Sequence, residues 1–128
     1  MLIITPIYAG LLALVFAVLS ALVVRQRVTL SKAADKTDEA TLQTAVRVQA
    51  NFAEYVPLAV ILMICAELLG APSVAVHVMG ISLLAGRLCH AIGMSATPQI
   101  GVLRASGFLL TFFMLVLSAL AVLVHALL

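Results

Sequence analysis

Four long apolar stretches, separated by short polar or turn-forming segments, make up most of the chain. They cover about Ile4–Arg27, Thr41–Leu69, Ser73–Met94 and Gly101–Leu128. A transmembrane helix needs about 20 apolar residues, whereas a membrane β-barrel shows alternating segments of about ten residues. The continuous apolar runs favour helices, and short connections make consecutive helices antiparallel neighbours. The pattern therefore predicts a single all-α membrane domain, a four-helix up-down bundle.

Turn-forming residues mark where these helices should end. Gly70 and Pro72 are typical of a helix stop followed by a restart, and Pro98 lies in the next break. The connection from Val28 to Ala40 is polar. Pro57 lies inside the second stretch, where it removes a backbone donor and predicts a kink.

The composition strengthens the membrane assignment. The chain has 128 residues, of which 65% are hydrophobic and only 9% charged. Soluble domains have about 45–50% apolar and about 25% charged residues. No basic residue precedes the first apolar stretch, so we expect a retained span and not a cleaved signal peptide.

The charge and the cysteine content argue against a nucleic-acid partner and a metal site. A net charge of +2 lacks the dense basic face that nucleic acid requires, so we expect no nucleic-acid partner. Cys65 and Cys89 fall inside predicted helices without metal-ligand spacing. We expect both to be packing residues, and no metal site.

The basic residues predict the orientation in the bilayer. They flank the first and third connections: Arg25, Arg27, Lys32 and Lys36 near the first, and Arg87 and Arg104 near the third. The positive-inside rule puts these connections in the cytoplasm and both termini outside. Glu67 and His77 then lie near the outer surface, where we expect them to snorkel or to be solvated.

A polar stripe interrupts the second apolar stretch. Arg47, Asn51 and Glu54 share one helix face because they are four and then three residues apart. A charge near the middle of a membrane helix costs about 2.5–3.5 kcal/mol. Arg87 and His90 form a second stripe in the third stretch. The two stripes could neutralise each other, or they could line a pocket for a polar ligand.

The charge balance favours a pocket. The predicted cytoplasmic half contains one membrane carboxylate, Glu54, and five arginines: Arg25, Arg27, Arg47, Arg87 and Arg104. Arginine is suited to bidentate recognition of carboxylates, and a lone glutamate could receive an ammonium group. A ligand with carboxylates and an amino group fits this set.

The run from Arg47 to Pro57, with the segment from Gly86 to His90 and Arg104, resembles the MAPEG family, the membrane-associated proteins in eicosanoid and glutathione metabolism. The resemblance covers essentially the whole chain and is to a bacterial member. It implies an inner-membrane homotrimer that binds glutathione at subunit interfaces, in the cytosolic half of the membrane. The chain departs from eukaryotic leukotriene synthases, which have tyrosines at the positions of His90 and Met94.

The resemblance also assigns roles to individual residues. Arg47, Asn51, Glu54 and Tyr55 match the glutathione-binding positions of the second helix. Arg27 and Gln49 match residues that reach glutathione in the neighbouring subunit, and Arg87 matches a structural ion-pair partner. The expected glutathione-binding set is therefore Arg27, Arg47, Gln49, Asn51, Glu54, Tyr55, Arg87 and His90. Arg104 resembles the arginine that stabilises the thiolate and is the predicted catalytic residue.

The function that follows is a glutathione S-transferase, with peroxidase activity as a second capacity. Glutathione would be a co-substrate, and the second substrate an apolar electrophile or lipid hydroperoxide from the bilayer. A non-catalytic lipid- or thiol-binding member of the family is the main alternative. A small multidrug exporter would need a carboxylate in the first span, which has none. Haem ligation would need a second histidine at the depth of His90, whereas His77 and His125 are expected near the other surface.

Overall fold

A computed structural model describes residues 1–32 and 39–128 of the protein. It contains the helices α1 (Ile4–Lys32), α2 (Glu39–Leu68), α3 (Ser73–Ser95) and α4 (Gly101–Leu127), and no strand within those residues. The predicted loop charges Asp35, Lys36 and Asp38 lie outside the described residues.

All four helices are long and apolar enough to cross a membrane. The prediction of an all-α fold with four such helices is confirmed. Helix α1 continues to Lys32, beyond the apolar stretch that predicts it, because a helix need not end where the bilayer does. Gly70 ends α2 with a positive φ of 82°, which glycine adopts without a Cβ clash.

Contacts between the helix ends establish the up-down topology. The start of α1 meets the end of α2, because Ile4 N donates to a Glu67 carboxylate oxygen. The end of α3 meets the start of α4, because Ile100 N donates to Gly93 O. Both chain termini therefore lie at one end of the bundle, called the terminal end below. The opposite end, where α1 ends, α2 begins and α3 connects to α4, is called the arginine end.

Helix α2 contacts the other three helices and supplies much of the core. Ala59 and Met63 of α2 are fully buried, and Phe52 stacks on Phe16 of α1 with ring centroids 5.7 Å apart. Large apolar side chains also cover the outside of the bundle; Leu117, for example, is 64% exposed. An apolar exterior of this kind is suited to lipid and not to water.

Helices α3 and α4 approach each other backbone to backbone, through three glycines. A Cβ on Gly86 would lie 2.9 Å from Gly107 O, and one on Gly93 would lie 2.5 Å from Arg104 N. A Cβ on Gly107 would meet the backbone of His90. Small residues permit such approach in membrane helices. The glycines therefore fix the distance between the two helices at the arginine end.

At the terminal end, polar side chains contact groups of neighbouring helices, and only the buried Thr5 hydroxyl has no partner among the described residues of this end. Helix α1 has no acidic residue in its first turn, and the Glu67 carboxylate of α2 caps it instead. Glu67 accepts hydrogen bonds from the backbone N–H groups of Ile3, Ile4 and Thr5 at 2.6–2.7 Å. The Tyr8 hydroxyl lies 2.9 Å from His77 Nδ1.

These contacts correct the expectation that Glu67 and His77 merely snorkel or are solvated. Glu67 is half-buried, and His77, although exposed, has a protein partner. The first N–H groups of a helix have no intrahelical acceptor, so a carboxylate from another helix is stabilising there.

Candidate functional site

A polar pocket opens at the arginine end between α2, α3 and α4. Its volume is about 370 Å³. The lining residues are Arg47, Ala50, Asn51, Glu54, His90, Met94 and Arg104. The structure therefore brings together five of the nine residues predicted for the site.

The helix geometry explains how these side chains converge. Arg47, Asn51 and Glu54 follow one face of α2 at the predicted spacing. His90 and Met94 are one turn apart on α3. Ile100, the residue before α4, donates its backbone N–H to Gly93 O of α3. The first turn of α4 therefore packs beside the last turns of α3.

Arg87 lies behind the pocket and is almost completely buried, with 1% of its surface exposed. Its Nε donates to Thr111 Oγ1 at 2.9 Å, and its Nη1 donates to Asn51 Oδ1. Its guanidinium carbon lies 5.3 Å from the centre of the Tyr55 ring. Among the described residues, Arg87 Nη2 is buried without a hydrogen-bond partner.

These contacts correct the expected role of Arg87 as an ion-pair partner. Its hydrogen bonds go to a neutral amide and a neutral hydroxyl. The face of Tyr55 provides a further attraction for the cation. Arg87 thus supports the pocket from behind, through Asn51.

Arg104 lies at the rim of the pocket in the first turn of α4, and its side chain is exposed. Its Nη1 donates to Gln99 Oε1 at 2.9 Å. Gln99 precedes the helix, so the contact holds the guanidinium close to the α3–α4 connection. The rest of the guanidinium remains open for a ligand.

Besides Arg87, three other predicted residues do not line the pocket of their own chain. Gln49 donates to Ser20 of α1 at 2.8 Å, on another face of α2. Arg27 is exposed near the end of α1. Tyr55 packs edge-on against Phe108, with ring centroids 5.9 Å apart.

Sequence reasoning missed three contributors to this region: Ala50, Gln99 and Thr111. Ala50 precedes Asn51, and a small apolar residue gives no chemical signal. Thr111 is seven residues after Arg104, on the same face of α4, which was the available signal. Met94 was noted as a departure from the family and lines the pocket.

The chemical character of the pocket is cationic and rich in donors. Two arginines, a histidine and an amide face one carboxylate, Glu54. No group of three or more His, Cys, Asp or Glu side chains that could hold a metal occurs in residues 1–32 and 39–128. Cys65 and Cys89 are free and half-buried. The arrangement is suited to an anionic organic ligand with one positive group.

Comparisons with known proteins find matches over most of the chain. A model of the MAPEG family matches residues 5–124. The "Inner membrane protein YecN" of Escherichia coli K12 is 38% identical over 118 residues, covering 92% of this chain and 88% of YecN. The protein of the same name from Escherichia coli O6:H1 matches with the same identity and coverage. No solved structure matches the chain.

Proposed function

Because the chain belongs to the MAPEG family, we propose that this integral membrane protein is a glutathione S-transferase. In this proposal it activates the thiol of glutathione for attack on apolar electrophiles or lipid hydroperoxides. One observation carries the proposal: α2, α3 and α4 bring Arg47, Asn51, Glu54, His90 and Arg104 to a single pocket.

The ligand chemistry supports glutathione. Glutathione has two carboxylates, one ammonium group and one thiol. The pocket offers arginines for the carboxylates and Glu54 for the ammonium group. Ligand pockets have volumes of about 300–1,000 Å³, and the volume here is about 370 Å³. His90 contributes an imidazole where related eukaryotic enzymes have a tyrosine.

The reaction requires a thiolate, because the thiolate and not the thiol is the nucleophile. A guanidinium close to the sulfur favours the anion, and more strongly where water is excluded. In the proposed mechanism Arg104 supplies that charge from the rim of the pocket. The electrophile reaches the sulfur from the bilayer; with an aryl halide, the sulfur bonds to the ring carbon and the halide ion leaves. With a hydroperoxide, the sulfur attacks the terminal oxygen and the O–O bond breaks: the alkoxide takes up a proton and leaves as the alcohol, and the sulfur becomes a sulfenic acid. A second glutathione thiol then forms the disulfide and releases water.

The proposed assembly is a homotrimer that completes each site. Arg27 and Gln49 lie outside the pocket of their own chain, as expected of residues that serve a neighbouring one. Native mass spectrometry in detergent should give three times the 13.4 kDa chain mass. A monomer or dimer that still binds glutathione would refute this assembly.

The proposed location is a bacterial inner membrane, with both termini outside and the pocket facing the cytoplasm. The Escherichia coli relatives are named as inner membrane proteins, which supports the inner membrane. The arginines of the pocket and of the end of α1 support the orientation. A reporter fused to the C-terminus should therefore be active in the periplasm.

Ultraviolet difference spectroscopy tests the activity. Adding glutathione to the purified protein should raise the thiolate absorbance, whereas S-methylglutathione, which has no ionisable thiol, should not. Conjugation of an aryl halide in detergent should accompany the rise. Binding without a thiolate signal or turnover would favour the non-catalytic alternative, and no binding would refute the proposal.

A further inference from the structure

Thr111 is a completely buried hydroxyl group at the centre of the α3–α4 contact, with 0% exposure. Its Oγ1 lies 3.1 Å from Gly107 O, to which it donates one turn back along α4. The same oxygen accepts the hydrogen bond from Arg87 Nε at 2.9 Å. Both capacities of the hydroxyl are therefore used.

The hydrogen bond to Nε fixes the guanidinium of Arg87. Nε has a single hydrogen, and the guanidinium group is planar, so holding Nε sets the direction of both terminal nitrogens. In that direction Nη1 donates to Asn51 Oδ1. A guanidinium only donates, and the atom of Asn51 that faces it must be the amide oxygen.

The consequence for Asn51 is a fixed orientation. With Oδ1 held by Arg87, the Nδ2 group points away from it, and Asn51 lines the pocket. Within residues 1–32 and 39–128, Nδ2 forms no hydrogen bond. The amide thus presents donors to the ligand.

We propose that Thr111 is a positioning residue that acts through Arg87 to hold the Asn51 amide with its donors facing the pocket. The proposal rests on the proposed function only for the identity of the ligand. The chemistry it implies is recognition of a carboxylate or carbonyl oxygen by Asn51 Nδ2.

The surroundings of Arg87 show why a side chain without a hydroxyl group cannot replace Thr111. Without the hydroxyl, Nε would be a second unpaired donor beside Nη2, which already has no partner among the described residues. An unpaired buried donor is costly, so the guanidinium would turn and release Asn51. A threonine that bonded only its own helix could be replaced by valine without this effect.

A ligand-free experiment tests the positioning directly. Asn51 is the only asparagine in the chain, so cell-free synthesis with nitrogen-15 asparagine gives one backbone and one side-chain amide signal. In Thr111→Val the side-chain NH₂ signals should shift, because Oδ1 loses the charged donor that polarises the amide. The backbone signal of Asn51 reports in the same sample whether α2 is intact.

Two variants serve as controls. Thr111→Ser keeps the hydroxyl and should retain the wild-type side-chain signals. Ser118→Ala removes another buried hydroxyl, seven residues further along α4, and should also leave them unchanged. Unchanged signals in Thr111→Val would overturn the proposal. Thr111→Ala replaces valine if that variant does not fold; if neither folds, the hydroxyl supports the whole bundle and the positioning role is refuted.

A double-mutant cycle with glutathione extends the test. Thr111→Val should weaken binding about tenfold by calorimetry, and should have no further effect in Asn51→Ala. Additive losses would mean that Thr111 does not act through Asn51. If the wild-type protein does not bind glutathione, the proposed function fails, while the ligand-free signals still decide the role of Thr111.

Discussion

Two glutamates of helix α2, Glu54 and Glu67, have opposite surroundings. At the terminal end, Glu67 receives three backbone N–H groups from the start of α1. At the arginine end, Glu54 is exposed and lines an open pocket with Arg47 and Arg104. The same side chain thus serves as an internal cap in one place and as a group available to a ligand in the other.

Two arginines near the pocket, Arg87 and Arg104, also differ in their surroundings. Arg87 is buried and bonded to neutral groups, whereas Arg104 is exposed with part of its guanidinium open. For these two arginines, burial therefore separates the one that builds the site from the one that can contact a ligand. The difference predicts that changes at the terminal end affect stability, and changes at the pocket affect binding and rate.

The largest expected effect is on the rate of Arg104→Ala. Loss of a charge that stabilises the thiolate should lower the conjugation rate about 100- to 1,000-fold, with a smaller change in glutathione affinity. Steady-state kinetics with the aryl halide measures both. The control is Arg25→Ala, which removes an arginine of α1 that lies away from the pocket and should keep the wild-type rate. A wild-type rate in Arg104→Ala would exclude Arg104 as the catalytic residue.

The next largest effect is expected for Gly107→Ala, which tests whether the α3–α4 contact builds the arginine end. Its new methyl group would meet the backbone of His90. Overpacking of this kind costs about 1–3 kcal/mol, measured by thermal unfolding in detergent. Gly10→Ala, with nothing within 4 Å of its Cβ position, should be at least as stable as the wild type. Equal stability of the two variants would contradict the close contact.

A paired substitution addresses the two glutamates directly. Glu67→Gln should lower the free energy of unfolding by about 2 kcal/mol, because a neutral amide oxygen accepts the three N–H groups less strongly. Glu54→Gln should leave stability unchanged and weaken glutathione binding about tenfold. Thermal unfolding and calorimetry on both variants give the comparison. If both lost only stability, the distinction between the two ends would be wrong.

The smallest effect is expected for Tyr8→Phe. It removes the hydroxyl that contacts His77 but keeps the edge-to-face ring contact, with centroids 5.8 Å apart. The loss should be about 1 kcal/mol in unfolding free energy, without a change in conjugation rate. Tyr55→Phe is the counterpart at the other tyrosine: Tyr55 is predicted to bind glutathione, so its loss should change the conjugation kinetics more than the unfolding free energy. A rate loss in Tyr8→Phe would show that the two ends are coupled.

Much of the fold and half of the site could be predicted from the sequence. Hydrophobic length gave four helices, and the spacing of Arg47, Asn51 and Glu54 placed them on one face. The family resemblance is confirmed by the match over residues 5–124. These features depend on local periodicity or on a contiguous motif, which a sequence displays directly.

The features that could not be predicted depend on distant pairs. Glu67 caps a helix that begins 63 positions earlier, and neither segment indicates the other. The family resemblance implied an ion pair for Arg87, yet Arg87 bonds Asn51 and Thr111, which the packing of three helices brings together. Polarity predicts that a partner is needed; the tertiary packing selects which one.

For the proposed transferase activity, the glycine contact between α3 and α4 also has a consequence for how substrate range can change. Because Gly86 and Gly107 put two backbones in contact, that hairpin cannot widen to admit a bulkier electrophile without losing the fit. Any broadening must come from the α2 wall of the pocket or from a neighbouring copy. Random mutagenesis for new electrophiles should therefore collect its gains on α2 residues such as Ala50, and leave the three glycines untouched.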